Sequence, residues 1–508
     1  MSKLKILLIT CNTPVPSTPM LGVTSIATLM ETRGYECRIF DDAPYLLDIA
    51  DEESDPREKS RTVGKTEEYE TFTLPYSRRV QDLVTEIQNF QPDIVGVSTT
   101  EASYLNSLEY LTAVRNKYPS AVTLLGGAFG LSSPEMVLRH KVVDLVCIGE
   151  GETVIEDLCR RIEKELPIWE TAGVAARKPS GEIVRNKLPL LININEIPPL
   201  RYDFYDQRRL YRPIGGKYRK VLPLEISRGC MYPCSFCNSP LLNTHFAPSG
   251  HYYRTKRPQN LDACIDATVK AENPHYFIFI SETFLAMKKG YLDAFCDVYR
   301  KYKVPFWMNT RPETVTEYNI QEITKVGLNR VSVGIESGNE PFRRQMLKRS
   351  YSNDLAIGAF RILHRHGIKT TANIIIGLPE ETREMVFDSV RLVKEIKPDS
   401  IGLAIFQPYK GNELYNYCVK KGYYDPGSII NHTVFQPSLN LNGTIESKEL
   451  RRLFQTFSLY VKLDEKHWPE IDKIDIDTED GWKQIKKFHD DSDPTANDIV
   501  DSSSYNLQ

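Results

Sequence analysis

The 508-residue chain has no apolar run approaching the roughly 20 residues that a bilayer-spanning helix needs. It also lacks an excess of either charge. Its 64 Lys and Arg stand against 67 Asp and Glu, for a formal net charge of −3, so no broad field draws it to nucleic acid or an anionic membrane. No histidine occurs before His140, and no G-x-G-x-x-G follows the first apolar run, which excludes the usual dinucleotide fingerprint. The opening MSKLKILLIT has no small-residue cleavage site after it. It reads as a first buried strand, and the expected location is cytoplasmic. Cysteine is scarce, with 10 in all. Cys11, Cys37, Cys147, Cys159, Cys264, Cys296 and Cys418 are scattered through apolar or helical stretches, as inert core thiols of a reducing compartment are.

The length calls for more than one domain. In residues 1–170, five short apolar runs alternate with amphipathic stretches: LKILLIT (4–10), ECRIFD (36–41), DIVGVST (93–99), AVTLLGG (121–127) and DLVCIG (144–149). That rhythm predicts a Rossmann-like, doubly wound, five-stranded parallel sheet whose ligand lies beyond the carboxyl ends of its strands. A charged stretch at 49–79 interrupts it and is read as a surface loop. After a linker over 171–214, six further runs (221–227, 276–281, 304–310, 330–337, 370–378 and 400–409) predict a partial (β/α)6 barrel over 215–410. Residues 411–475 read as a helical region, either capping a substrate or packing as a flank. Residues 476–508, acidic and polar, read as a disordered tail.

What is concentrated is cysteine. EISRGCMYPCSFCNSP (225–240) places Cys230, Cys234 and Cys237 in C-x3-C-x2-C spacing just after the first barrel strand. Three thiols so close signify a metal or cluster more than packing. Structural zinc would need a fourth ligand, for which His245 or His251 is at hand, but no second cysteine knuckle exists. A cubane iron–sulfur cluster takes one thiolate per iron, so three cysteines leave one iron open to a substrate or cofactor.

This pattern resembles the radical SAM superfamily. The likeness covers about 215–410 and extends to FISETF (279–284), VGIESGNEPFRRQMLKR (333–349), IIIGLPEET (374–382) and FQPYKGNEL (406–414). It implies a [4Fe–4S] cluster on Cys230, Cys234 and Cys237, whose open iron chelates S-adenosylmethionine and generates a 5′-deoxyadenosyl radical. It further implies that Phe236 packs near the adenine and Glu282 accepts from the methionyl ammonium. By the same likeness Glu336 and Ser337 face the ribose, and Arg349 pairs with the carboxylate.

The preceding domain, with GGAFG (126–130) and GEGE (149–152), resembles the cobalamin-binding domain of one branch of that superfamily. There the resemblance assigns Ser98, Gly126, Gly127 and Glu150 to the cofactor side. Phe129 stands where that branch usually has histidine, so the implied cobalamin is base-off, without a histidine ligand. The implied activity is methylation of an unactivated carbon or phosphorus centre of a small molecule, with flavodoxin or ferredoxin as electron donor. Radical cyclisation or rearrangement is the alternative enzyme, and a zinc- or cobalamin-binding sensor the alternative of another class.

Overall fold

The computed structural model describes residues 3–11, 18–46, 72–430, 436–441 and 443–492. The first sheet runs β1 (Lys5–Thr10), β2 (Glu36–Asp41), β3 (Ile94–Ser98), β4 (Val122–Gly126) and β5 (Leu145–Cys147), all parallel, in the order 2-1-3-4-5. Alternate residues feed two cores. Leu7, Ile9, Val95, Val97 and Leu125 pack on one face; Ile6, Leu8, Ile94, Leu124 and Leu145 pack on the other. Helices cover both faces, which is why the inner strands, unlike edge strand β2, are largely apolar. On the second face lie α1 (Leu21–Thr32) and α2 (Gly151–Glu163).

The sheet is two strands wider than the five expected. β6 (Val174–Arg177) and β7 (Ile183–Arg185), within the stretch assigned to the linker, add as an antiparallel hairpin beside β5. Strands of four and three residues are too short to declare a period, although the intervening Lys178–Gly181 turn marks the reversal.

The second sheet begins with an antiparallel pair, β8 (Tyr211–Ile214) and β9 (Lys217–Glu225), joined through Gly215 and Gly216 at φ +57° and +78°. Such a two-residue turn requires positive φ at both positions. Parallel strands follow: β10 (Tyr276–Ile280), β11 (Phe306–Thr310), β12 (Leu328–Glu336), β13 (Lys369–Ile376) and β14 (Ser400–Ile405). Because β8 and β14 are the two edges, this is an open half-barrel. Its outer face (Phe279, Met308, Val333, Ile374 and Leu403) packs under helices, and Val221, Tyr276, Ile278 and Trp307 form a small inner cluster.

Part of the C-terminal region, its long helix, packs on the outside of the barrel. Helix Ser447–Lys462 buries Leu450, Leu453 and Phe457 against the barrel's outer core. The expectation of disorder from 476 is corrected: Glu479–Ser492 is a helix, with Ile485 fully buried and Trp482 and Phe488 packed on the same core. Three apolar side chains at helical spacing outweigh its acidic composition. Residues 493–508 of that tail, and residues 47–71 of the charged stretch, lie outside the described residues.

Candidate active site

The three cysteines lie on the loop that leaves β9, and neighbouring elements hold that loop in place. The Asn243 side chain donates to the Cys230 carbonyl at 2.7 Å. The Ser235 hydroxyl donates to Met346 O at 2.5 Å, Leu414 N–H to Ser235 O at 3.0 Å, and Asn412 to Phe236 O at 3.1 Å. Phe236 itself packs half-buried among Phe342, Leu378, Phe406 and Leu414. Burial raises the Cys230 thiol and pushes that of Cys237 up to about 11.

Among the described residues no three His, Cys, Asp or Glu side chains converge on a point fit for a single ion. His245, offered as a zinc ligand, instead bonds the Ile148 carbonyl at 2.7 Å across the domain boundary, and His251 is exposed. With His245 engaged elsewhere, three thiols on one loop suit a cluster that leaves one iron open better than a four-ligand zinc site.

Around the loop stand the acidic groups expected from the strand ends. Glu282 follows β10; it is solvent-exposed and near enough to Glu225, Cys230, Cys237 and Tyr252 to interact with them electrostatically. Desolvation by the surrounding protein and then the Glu225 charge push its carboxyl up to about 7. Glu336, the last residue of β12, has φ +68°, and Ser337 N–H donates to Ile335 O at 2.9 Å around it. That is a classic γ-turn, a strained conformation for a residue with a Cβ, and the register with β13 shifts at the same point. Burial raises the Glu336 carboxyl, and Arg349, at 2.5 Å from its Oε1, works against that rise. Nε and Nη2 of Arg349 are buried and unpartnered. Ser337 does not join this group: it is fully buried, and its hydroxyl accepts from Asn339 N–H at 3.3 Å.

A cavity of about 360 Å³ lies between the two domains, at the carboxyl ends of the first sheet. One wall is a strip of small residues, Gly96 and Ser98 of β3, Gly126 of β4 and Cys147 of β5, all on the face that carries Leu8 and Leu124. Gly127 (φ +87°) follows, where a Cβ would stand 2.4 Å from Thr99 O. Val23 and Ile26 of α1 and Ile155 of α2 line the same space, and a Cβ on Gly151 would meet Ile26 at 2.5 Å. The opposite wall belongs to the barrel: Glu225, Arg228, Asn238, Leu241, Phe246 and Tyr252. No histidine is among the described residues lining it. A slot cleared of side chains along a sheet face, with apolar side chains on both walls and charged groups at its border, fits the tail and edge of a large flat ligand such as cobalamin.

Glu150 lines this cavity, but its carboxylate is already engaged. It accepts from Arg228 at 2.8 Å, from Arg254 at 2.5 and 3.1 Å and from Ile192 N–H at 2.9 Å. One arginine of this region, Arg228, escaped the reading of the sequence. Arg228 binds Glu225 of its own domain and Glu150 and Glu152 across the domain boundary, while Arg311 donates to Cys234 Sγ at 3.1 Å. Arg311 was legible in the sequence, because it directly follows β11 at the barrel mouth.

Residues 224–393 match the Radical SAM superfamily, and residues 62–159 match the B12 binding domain. The chain is 26% identical over 393 residues to an uncharacterized methyltransferase of Pyrococcus horikoshii, covering 75% of this chain and 82% of the relative. It is 25% identical over 345 residues to an anaerobic magnesium-protoporphyrin IX monomethyl ester cyclase of Rubrivivax gelatinosus, covering 66% and 60%. Among solved structures, a cobalamin-dependent S-adenosylmethionine radical enzyme with aqua-cobalamin and S-adenosylmethionine bound superposes with a TM-score of 0.58 at 19% identity. The match covers 85% of this chain and 57% of that enzyme.

Proposed function

We propose that this chain, a member of the radical SAM superfamily carrying an N-terminal B12-binding domain, methylates an unactivated carbon or phosphorus centre of a small molecule. One observation carries the reading: a single cavity has the first sheet's small-residue strip on one side and, on the other, Asn238 and Leu241, just beyond the cysteine loop. A methyl carrier seated on the first domain would therefore face the radical-generating cofactors of the second.

When bound, cluster and S-adenosylmethionine supply one-electron cleavage of a sulfonium, and cobalamin supplies a carrier for the methyl group. Cys230, Cys234 and Cys237 would hold three irons and leave the fourth open. Glu282 would accept from the ammonium of the chelated S-adenosylmethionine, a charge-assisted contact. Arg349 would offer its unpartnered Nη2 and Nε to the carboxylate while Glu336 fixes the guanidinium. Phe236 would pack against the adenine. Leu241, Phe246 and Tyr252 exclude water from the cavity's barrel side. With no histidine before His140, cobalamin would be held base-off. A flavodoxin or ferredoxin would deliver the electrons.

The test is product analysis. Protein purified without oxygen is loaded with iron, sulfide and cobalamin, then given S-adenosylmethionine and a strong reductant. S-adenosylhomocysteine together with 5′-deoxyadenosine is the expected result. 5′-Deoxyadenosine alone would favour the second reading, radical cyclisation, which the likeness to a cyclase supports. Neither product from iron-loaded protein would overturn both.

A further inference from the structure

We infer that Arg311 is a positioning residue that raises the reduction potential of the cluster on Cys230, Cys234 and Cys237, acting through the sulfur of Cys234. The inference rests on the reading of those cysteines as cluster ligands.

The three thiols have unequal surroundings. Cys230 has a hydroxyl, Thr283 Oγ1, at 3.9 Å, and Cys237 has the Ser239 hydroxyl and N–H at 3.5 and 3.4 Å. Cys234, 7% exposed, accepts from a guanidinium at 3.1 Å. That guanidinium is aimed and locked. Arg311 is 6% exposed, and its Nε and Nη2 are both spent on Glu313 Oε1, at 2.9 and 2.5 Å. Its plane lies over the Tyr232 ring, with Cζ 3.8 Å from the centroid. Only Nη1 remains, and it points at the sulfur. The pair is thus an oriented dipole, with its positive end on Cys234 and its carboxylate on the far side.

Hydrogen bonds to ligand sulfur and local charge are among the levers that set iron–sulfur potentials. When the cluster takes one electron from a low-potential donor, which is oxidised by one electron, negative charge grows on the thiolates. A buried positive end 3 Å away stabilises that reduced state more than the oxidised one. The two halves of the dipole therefore act with opposite sign. Loss of Arg311 lowers the potential. Loss of the Glu313 charge, with Arg311 kept, raises it.

The experiment is an EPR-monitored potentiometric titration of reconstituted protein without S-adenosylmethionine, with iron and sulfide quantified in each sample. R311M is expected to shift the midpoint to more negative values, R311K to fall between R311M and wild type, and E313Q to shift it to more positive values. A wild-type midpoint in fully loaded R311M overturns the inference. Should R311M fail to hold iron, E313Q decides: a positive shift supports the dipole, and no shift or a negative one overturns it. Wild-type protein that takes up no cluster would overturn both this inference and the functional reading beneath it. Wild-type protein that takes one up, with a potential indifferent to these variants, would overturn this inference alone.

Discussion

At the scale of single residues, Gly334 shows how closely the site is built. It precedes the strained turn at Glu336, and a Cβ there would stand 2.4 Å from Glu336 Oε1 and 3.1 Å from Arg349 Nη1. Neither neighbour can retreat cheaply. Both are buried, and the guanidinium is the partner that holds the carboxylate in its unfavourable backbone setting. G334A is therefore expected to displace the ion pair without emptying the cysteine loop, whose own anchors lie at Met346, Asn412 and Leu414. The expected result is unchanged iron content with S-adenosylmethionine affinity weakened on the order of tenfold, the equivalent of one lost polar contact of about 1.4 kcal/mol. Equilibrium dialysis at constant cluster loading checks it; wild-type affinity would mean that the Glu336–Arg349 pair does not shape the cofactor pocket.

At the scale of elements, the turn that leaves β13 is pinned from within by Glu381. The residue is fully buried. Its Oε2 accepts from Gly377 N–H at 2.6 Å and Leu378 N–H at 3.3 Å, while Oε1 has no partner. Burial pushes the carboxyl from its ordinary 4.5 up to about 8, with the two N–H groups pulling the other way. Between those values the folded chain holds a proton that the unfolded chain releases. The resulting loss of stability is absent below about 4.5, grows by at most ~1.4 kcal/mol per pH unit and is complete above about 8. Glutamine mimics the protonated acid. The difference in Tm between E381Q and wild type is expected to widen in favour of E381Q from pH 5 to pH 8, and a difference independent of pH would show that Glu381 is ionised in the fold.

The same scale decides what the sequence could reveal. Strands buried on both faces, such as Lys5–Thr10 and Ile94–Ser98, are nearly continuous apolar runs and were legible to within a residue or two. The Val174–Arg177 and Ile183–Arg185 hairpin was not, because an edge ribbon of such short strands has neither a long run nor a clear alternation. In the site, the cysteines were legible from spacing alone. Contacts between residues 77 to 104 positions apart, such as Arg311 with Cys234 or Arg228 and Arg254 with Glu150, leave no local pattern to read.

At the scale of the whole molecule, the cavity exists only while the two domains stay together, and a buried ionic knot joins them. Arg228, just before the cysteine loop, is held by Glu225 of its own domain at 2.9 Å and by Glu150 and Glu152 of the other at 2.8 and 3.0 Å. Ser25 of α1 also donates to Glu152 at 2.8 Å. All of these side chains are 15% exposed or less. Burial acts to raise the Glu152 carboxyl, but Arg228 prevails and holds it below the usual range. Such a knot adds little net stability over an apolar contact, yet it is costly to break from one side, because the abandoned charges remain buried. R228M would leave Glu150 with Arg254 and strand Glu152 and Glu225 as unpaired carboxylates in a tight space. A loss of about 3–5 kcal/mol is expected in denaturant unfolding at neutral pH. Lowering the pH should recover part of that loss, since the stranded carboxylates then take up protons. Because the knot borders the cavity, R228M should also release bound cobalamin on desalting while keeping its iron. Retention of cobalamin together with wild-type stability would show that the domains are held by their apolar contacts instead.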